Sequence, residues 1–548
     1  MTNRDIAQAF NELADLLELH DADDFRIRSY RQAYLALRKI ERPLAELTDG
    51  EIQAIRGIGP AITRKIRELL QSGRLRALEE LRAQTPPGVV EMLRIGGFGP
   101  KKVRLVWQQM GIADVSELWY ACCENRLASA KGFGLKTQEA LKNQLEYYLR
   151  TKDRLHYATA EKLADFVGAW LNGRLPGALV SPTGEVRRGC PTVTHLDMLV
   201  GYDGDISPAI DGQLLLAEQV INDIYHLKIE GKTPMRLFHC RAEQFGVCLF
   251  ETTGSTAFVD ALFAAFPGLR NGRLPTEEAL FEACGLPFIP PERRESPEIL
   301  RQVQAGPLPA YITEGDLRGV LHVHTTWSDG LHSLRDMCLY ARQLGYAYIG
   351  ITDHSQSAFY ANGLKPERVL AQMEEIDALN AELAPFRVLK GIESDILSDG
   401  SLDYEPALLE RFDFVVASVH TQLNMSMEKA TQRVLKAIEN PYTTILGHPT
   451  GRLLLGRAGY PLDWDAVLQA CAQNDVAVEL NAHPHRLDID WTLIPKALDY
   501  GVRISINPDA HSKEGIHDLR YGVLSARKGG LTAAYCFNAD EAPLLKRH

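Results

Sequence analysis

Apolar residues in the first 150 positions recur every three or four places, as in Ile6, Phe10, Leu13, Leu16 and Leu17, a spacing that predicts helix after helix. Three stretches interrupt the rhythm in a similar way: Ile55-Arg-Gly-Ile-Gly-Pro60, Ile95-Gly-Gly-Phe-Gly-Pro100 and Ala130-Lys-Gly-Phe-Gly-Leu135. Each sets an apolar residue between two glycines and then starts a new helix. From about 151 to 300 the pattern is mixed, with a helix over 158–171, apolar strands around 192–200 and 235–240, and shorter helices after them. Residues 301–317, containing Gly306-Pro307-Leu308-Pro309, read as a linker. Beyond 318, strands ending in polar residues alternate with helices: VLHVHT, YIGITDHS, RVLKGIESDIL, FVVASVH, TTILGHP, VAVELNAH and VRISINPDAH. That alternation predicts a (β/α) barrel, whose active site sits where the strands end.

A chain of 548 residues is too long for one core and implies several domains. No apolar run approaches the ~20 residues that span a bilayer, and the amino terminus is an amphipathic helix with acids rather than a signal peptide. The expectation is a cytoplasmic protein without a membrane partner. Nine cysteines without a C-x-x-C pair, set among apolar neighbours, fit a reducing compartment. The net charge of −11 is unevenly spread: residues 1–150 carry 23 Lys+Arg against 20 Asp+Glu, and the remainder 37 against 51. Any surface that grips a nucleic acid should therefore lie in the first part, and the acidic remainder suits divalent cations better.

The glycine turns carry the first chemistry. Gly57 and Gly59, Gly97 and Gly99, and Gly132 and Gly134 allow backbone conformations closed to residues with a Cβ, and the following helix aims its first N–H groups at a phosphate. Lys65, Lys101, Lys102 and Lys136 stand just beyond the turns. Contacts of this kind need no base, so the expected partner is DNA held without regard to sequence. GIGPAITRKI, GGFGPKKVRLVWQQMGI and KGFGLKTQEAL resemble the lyase-like and fingers regions of bacterial family X DNA polymerases. The resemblance implies a multidomain α/β chain: a lyase-like helical domain with a helix-hairpin-helix over 1–82, helix-hairpin-helix fingers over 83–150, an α+β palm and thumb like those of polymerase beta over 151–300, the linker 301–317, and a distorted (β/α)7 PHP (polymerase and histidinol phosphatase) barrel over 318–548. Lys65 falls where a lyase subgroup carries its Schiff-base lysine; an exposed phosphate-binding lysine is the plainer reading.

Nucleotidyl transfer by two metals needs carboxylates that hold both cations. The family pattern is Gly-Ser-x-Arg-Arg, then Asp-x-Asp, a third Asp on a later strand, and a Tyr-Phe-Thr-Gly-Ser pocket. This sequence keeps Gly184, Arg187, Arg188, Asp197 and Thr253-Gly254-Ser255. It places His195 at the first Asp, Arg236 at the third, Glu185 at the serine that faces the triphosphate, and Glu251-Thr252 at the Tyr-Phe pair. Neutral imidazole brings no charge to offset hard cations, so magnesium in the palm is not expected and the site reads as vestigial. A different metal site built from His195, Asp197 and His239, and weak residual transfer, are the alternatives.

Ten of sixteen histidines lie between 318 and 520, most of them ending a strand beside another polar residue. Nine candidate ligands recur there: His322, His324, Asp329, His354, Glu393, His420, His448, Asp509 and His511. Imidazole with carboxylate suits zinc, manganese or iron, and nine ligands are too many for one ion. They match the PHP ligand pattern, which implies up to three divalent ions: His322, His324, Glu393 and Asp509 on one, Glu393 bridging to a second held by His420 and His448, and Asp329, His354 and His511 on a third. Asp353 is expected to orient a ligand and Arg452 to clamp a phosphate; His332, His483 and His485 are candidates for substrate contact. Such a cluster hydrolyses phosphate esters.

The resulting expectation is a monomeric, metal-dependent 3′→5′ exonuclease or 3′-end phosphoesterase in base excision repair. It would act on nicked, gapped or 3′-ended DNA, with polymerase activity lost or weak. The alternatives are a working family X polymerase with proofreading, a phosphatase of the histidinol-phosphate type, and a non-catalytic repair scaffold.

Overall fold

The computed structural model describes residues 1–540 except 41, 124, 125, 128–132, 211, 222 and 223. The chain divides into two compact units, Met1–Lys152 and Asp153–His548.

In the first unit the helix Asn3–Leu19 is opened by a capping box between Thr2 and Asp5 and buries Ile6, Phe10, Leu13, Leu16 and Leu17, the stripe its periodicity requires. The two helical domains expected over 1–82 and 83–150 share one apolar core that runs from Ile6 to Leu145. Gly57 (φ +92°) and Gly97 (φ +72°) adopt left-handed backbone. Gly59, Gly99 and Gly134 are the N-caps of helices Pro60–Ser72, Pro100–Met110 and Leu135–Thr151, and no side chain caps any of the three. Their first-turn amides are thus not claimed by a capping side chain. Lys101 and Lys136 are exposed, while Lys65 and Lys102 are half-buried; the Lys102 ammonium lies 5.9 Å from the centre of the Phe133 ring. Gly132 lies outside the described residues.

The second unit begins with the helix Tyr157–Arg174 and a five-stranded sheet. Its strands, in chain order, are β1 (Leu155–His156), β2 (Leu179–Pro182), β3 (Thr192–Val193), β4 (Leu196–Gly201), β5 (Leu215–Ile221), β6 (Ile224–Ile229) and β7 (Thr233–Cys240). The sheet order is β2-β4-β7-β6-β5, with β1 and β3 paired separately. This sheet, in the region expected to be the palm, has its own core, and the helices that follow it enclose a second one around Phe250, Phe258 and Phe281. The segment expected to be a linker is not one throughout. Helix Glu298–Ala305 buries Ile299 and Val303 in the second core, and Ile312 and Leu317 belong to the core of the barrel. Apolar positions at 299, 303, 312 and 317 outweigh the Gly-Pro signal between them.

Seven parallel strands follow: β8 (Gly319–Val323), β9 (Tyr348–Ile351), β10 (Arg387–Asp395), β11 (Phe414–Ser418), β12 (Ile445–Leu446), β13 (Ala477–Asn481) and β14 (Ile504–Asn507). They are ordered in sequence from β8 to β14. A parallel bridge between Val323 and Ala510, with Ala510 N–H donating to His322 O (3.2 Å) and His324 N–H to Ala510 O (2.9 Å), brings the two edges together. The strands are buried on both faces, as parallel sheets are. The interior is filled by Leu321, Leu389, Phe414, Val416, Ile445 and Phe537. A Cβ on Gly391 would sit 2.4 Å from the Phe414 ring, so the glycine makes room for it.

Candidate metal centre

The nine expected donors gather at the carboxyl ends of the barrel strands, where successive strands deliver them side by side. Glu393 is central. His448 Nε2 (2.9 Å), His420 Nε2 (3.1 Å) and His322 Nε2 (3.3 Å) surround its Oε1. His354 Nδ1 (2.8 Å) and His324 Nε2 (3.7 Å) face its Oε2. Asp509 Oδ1 stands 3.2 Å from His324 Nε2 and 3.6 Å from His322 Nε2. Asp329 is 3.4 Å from His511 Nε2, 3.7 Å from His354 Nε2 and 3.8 Å from His324 Nδ1. The sets compact enough to hold an ion are His324-Asp329-His354-His511, His322-Glu393-His448, His322-His324-Asp509 and His354-Glu393-His420.

Whether these residues fit metal ions is tested by what they leave unpaired. His322 Nε2, both nitrogens of His324, His354 Nδ1, His448 Nδ1 and Glu393 Oε2 are buried without a hydrogen-bond partner. Each such atom costs about 1–3 kcal/mol if nothing binds it. Ligands on one ion with bonds of ~2.0–2.2 Å lie about 3 Å apart, the scale of the separations here. Donor type, spacing and unpaired atoms all fit divalent ions.

The backbone is bent to serve the site. His322 (φ +59°), His448 (φ +21°) and Asp509 (φ +53°) are left-handed, a conformation that costs residues other than glycine and concentrates at functional sites.

Two carboxylates orient the ring donors. Glu479 accepts from His322 Nδ1 (2.5 Å), His448 N–H (2.6 Å) and Asn507 Nδ2 (2.8 Å), and Asp395 accepts from His420 Nδ1 (2.5 Å). A carboxylate that accepts a hydrogen bond from Nδ1–H favours the tautomer in which Nε2 offers its lone pair to a cation. Burial opposes protonation of His322 and His420. Glu479, Asp509 and Glu393 nevertheless hold His322 well above its ordinary range, and Glu393 and Asp395 raise His420 to about 10. His324 is pushed the other way, to about 3, by burial and by the neighbouring His511 and His354.

Among the described residues, no imidazole is hydrogen-bonded or ion-paired to Asp353. Buried, it accepts from Thr325 N–H (2.8 Å), Thr325 Oγ1 (2.7 Å), Ser328 N–H (3.1 Å), Ser328 Oγ (2.5 Å) and Gln372 Nε2 (2.6 Å), and so fixes the turn that carries Asp329. Arg452, expected as a phosphate clamp, has each guanidinium nitrogen engaged: Nε with Arg486 O (3.0 Å), Nη1 with Asp490 (2.7 Å) and Nη2 with Leu487 O. It is a strut for the loop after β13. The guanidinium of Arg486 stands at the cluster, with its Nε 3.5 Å from Asp509 Oδ2. His485 stacks on His156 of the palm (4.1 Å), and His332 Nδ1 accepts from Lys513 N–H (3.3 Å). His483 Nδ1 accepts from His485 N–H (3.2 Å).

The palm presents a different picture. Asp197 on β4 and Arg236 on β7 are register partners and form a two-pronged ion pair, both contacts 2.7 Å. A guanidinium takes the place beside the retained carboxylate. Gly184 (φ +60°) is needed for that packing, because a Cβ there would lie 2.2 Å from Asp197 Oδ2. Glu185 lines the same cleft, of about 820 Å³, but not as the free like charge its position predicts: it is paired with Arg154 (3.0 Å) and accepts from Thr194 N–H (2.5 Å). Arg187 binds Glu277, and Arg188 binds Glu295 (2.9 Å) and Thr253 O (2.7 Å). His195 lines the cleft, with its pKa lowered by burial and by Arg236. His239 Nε2 is bonded to Tyr202 O (2.8 Å). Among the described residues, no donor set compact enough for an ion lies in the palm.

Comparison with known proteins agrees with both ends of this description. Residues 1–75 match the helix-hairpin-helix domain family and residues 321–483 the PHP domain family. A probable phosphatase of Thermoanaerobacter sp. (strain X514) is 27% identical over 218 residues, which cover 36% of this chain and 86% of that protein. One from Caldanaerobacter subterraneus subsp. tengcongensis is 29% identical over 216 residues, 36% of this chain and 77% of that protein. The DNA polymerase/3′-5′ exonuclease PolX of Bacillus subtilis (strain 168) is 34% identical over 575 aligned positions that span the whole of both chains. The chain therefore belongs to the bacterial family X DNA polymerases of the PolX type, built with an amino-terminal helix-hairpin-helix domain and a carboxy-terminal PHP domain.

Proposed function

We propose that this chain is a metal-dependent DNA phosphodiesterase, a 3′→5′ exonuclease or 3′-end processing enzyme in base excision repair, and that its palm no longer transfers nucleotides. The observation that carries this reading is the contrast between nine donors gathered in one cluster, five of whose imidazoles face Glu393, and a palm whose retained carboxylate, Asp197, is bound to Arg236. The relative from Bacillus subtilis bears both activities in its name, so relatedness leaves open which of them persists here; the residues favour hydrolysis.

Divalent ions held by the nine donors would supply Lewis acidity and activate water near neutral pH. Glu479 and Asp395 keep His322 and His420 turned toward the ions, Asp353 holds the turn of Asp329, and Arg486 adds positive charge at the rim. The exposed lysines beyond the glycine turns would hold the DNA backbone. Lys65 is read as a phosphate contact rather than a Schiff-base nucleophile.

Incubating manganese-reconstituted protein with end-labelled gapped DNA, with and without nucleotides, tests both halves. Shortening from the 3′ end that stops with a chelator, and no templated extension, is the expected result. Clear extension would overturn the reading of the palm. Hydrolysis that survives His322→Ala and Glu393→Ala would overturn that of the barrel.

A further inference from the structure

The loop between β9 and the helix Pro366–Leu383 passes directly beside the metal donors and carries two large aromatic side chains that the fold does not use. Ala358, Ala361 and Leu364 are buried, but between them Phe359 is 88% and Tyr360 67% exposed. The Tyr360 ring centre lies 6.1 Å from the ring of His354 and 6.4 Å from that of His420, two of the nine donors. Exposed aromatic rings are normally a cost, and one held at the mouth of a site points to a ligand with an apolar face.

The loop that displays them is held from both sides. Ser357 is fixed by Asp403 (2.7 Å) and Asp395 (2.9 Å). Asn362, left-handed at φ +56°, donates to Trp327 O (3.3 Å) and Ser328 O (3.4 Å) on the turn of Asp329. Arg368 donates to Asn362 O (2.9 Å) and to Trp327 O. The exposure of the two rings therefore belongs to a pinned turn rather than to a fraying one. At the same cluster, Arg486 stands beside Asp509 on a loop braced by Arg452.

We infer that Tyr360, with Phe359 next to it in the chain, is a stacking platform for the terminal nucleobase of a DNA strand whose 3′ phosphodiester reaches the metal donors, so that the site recognises the terminal base as well as the phosphodiester. The inference rests on the phosphodiesterase reading and deepens it by naming the feature of the substrate that is recognised. Every base has a π-face, so stacking selects a base-bearing end without selecting its sequence. A small phosphomonoester without a flat ring would gain nothing from the platform.

The test uses the full-length, manganese-reconstituted protein and two labelled oligonucleotides with 3′ overhangs, one ending in a normal nucleotide and one in a stable abasic analogue. Wild-type protein is expected to process the base-bearing end with a kcat/KM roughly tenfold higher, the scale of one base–aromatic stack. Combining Phe359→Ala with Tyr360→Ala should erase that preference with bound metal unchanged, while Tyr360→Phe should keep it. A wild-type enzyme indifferent to the terminal base, or a double variant that retains the preference, overturns the platform while leaving the phosphodiesterase reading standing. Wild-type protein inactive on both ends overturns that reading and the platform with it.

Discussion

Glu479 shows how much one buried carboxylate can decide. It accepts from His322 Nδ1, which leaves Nε2 free to bind a cation, and through the His448 N–H it also positions a second donor. Glu479→Gln keeps the shape but can donate to Nδ1, which favours the tautomer with the proton on the wrong nitrogen. Metal affinity should fall about 10–100-fold, measured by equilibrium dialysis against manganese, with the far-ultraviolet circular dichroism unchanged. The nine donors are legible in the sequence because they sit in short strand-end motifs such as HVH, TDHS and PDAH. Glu479, Asp395 and Arg486 are not: a single acid in VAVELNAH has no spacing that distinguishes it from any other strand residue, and its partners lie on other strands. Arg452 misleads for the converse reason. Its place in HPTGR suggests a phosphate contact, but Asp490 and two backbone carbonyls claim it.

Among the elements, the helix-hairpin-helix turns and the barrel strands follow closely from local pattern. The glycines at 57 and 97 take the left-handed backbone that their turns require. The uncapped N-termini of helices Pro60–Ser72, Pro100–Met110 and Leu135–Thr151 are where phosphates would dock. Lys101→Ala combined with Lys136→Ala should weaken DNA binding equally for unrelated sequences. The slope of log affinity against log salt should become shallower by about 1 for each phosphate no longer neutralised, hence by about 2 for the pair, read by fluorescence anisotropy between about 50 and 200 mM salt. Local pattern does not reveal the sharing of cores. Two expected helical domains pack on one, and residues read as a linker contribute Ile312 and Leu317 to the barrel, because burial depends on what lies opposite rather than on the local run of glycine and proline.

Across the second unit, palm and barrel are joined through charge. Lys528, buried in the barrel helix Leu519–Gly529, donates to Glu295 (2.5 Å) and Arg188 O (2.9 Å), and Arg527 pairs with Glu292 (2.7 Å). Burial alone would raise the Glu295 carboxyl, but Lys528 and Arg188 overcome it and hold its pKa at about 2, against an ordinary 4.5. A depressed carboxylate stabilises the fold above its unfolded pKa and loses that contribution as pH falls toward the folded one. Thermal unfolding should therefore show a component of stability that is steady above about pH 5 and declines between pH 4.5 and 2. Glu295→Gln should flatten that part of the profile.

The order of domains, the helix-hairpin-helix turns, the barrel rhythm and the candidate donors can all be read from the chain alone, because each is written in local periodicity or in motifs a few residues long. The same reading places His195 and Arg236 where carboxylates would be needed. What those residues do depends on the folded arrangement. Only when β4 pairs with β7 does Arg236 become the internal partner of Asp197. Only when β8 to β14 curl together do histidines nearly 200 positions apart, such as His322 and His511, line one cluster through His324, Asp329 and Asp509. Such partnerships arise from chain closure over long separations, and neither periodicity nor composition records which distant residue will be brought within hydrogen-bonding reach.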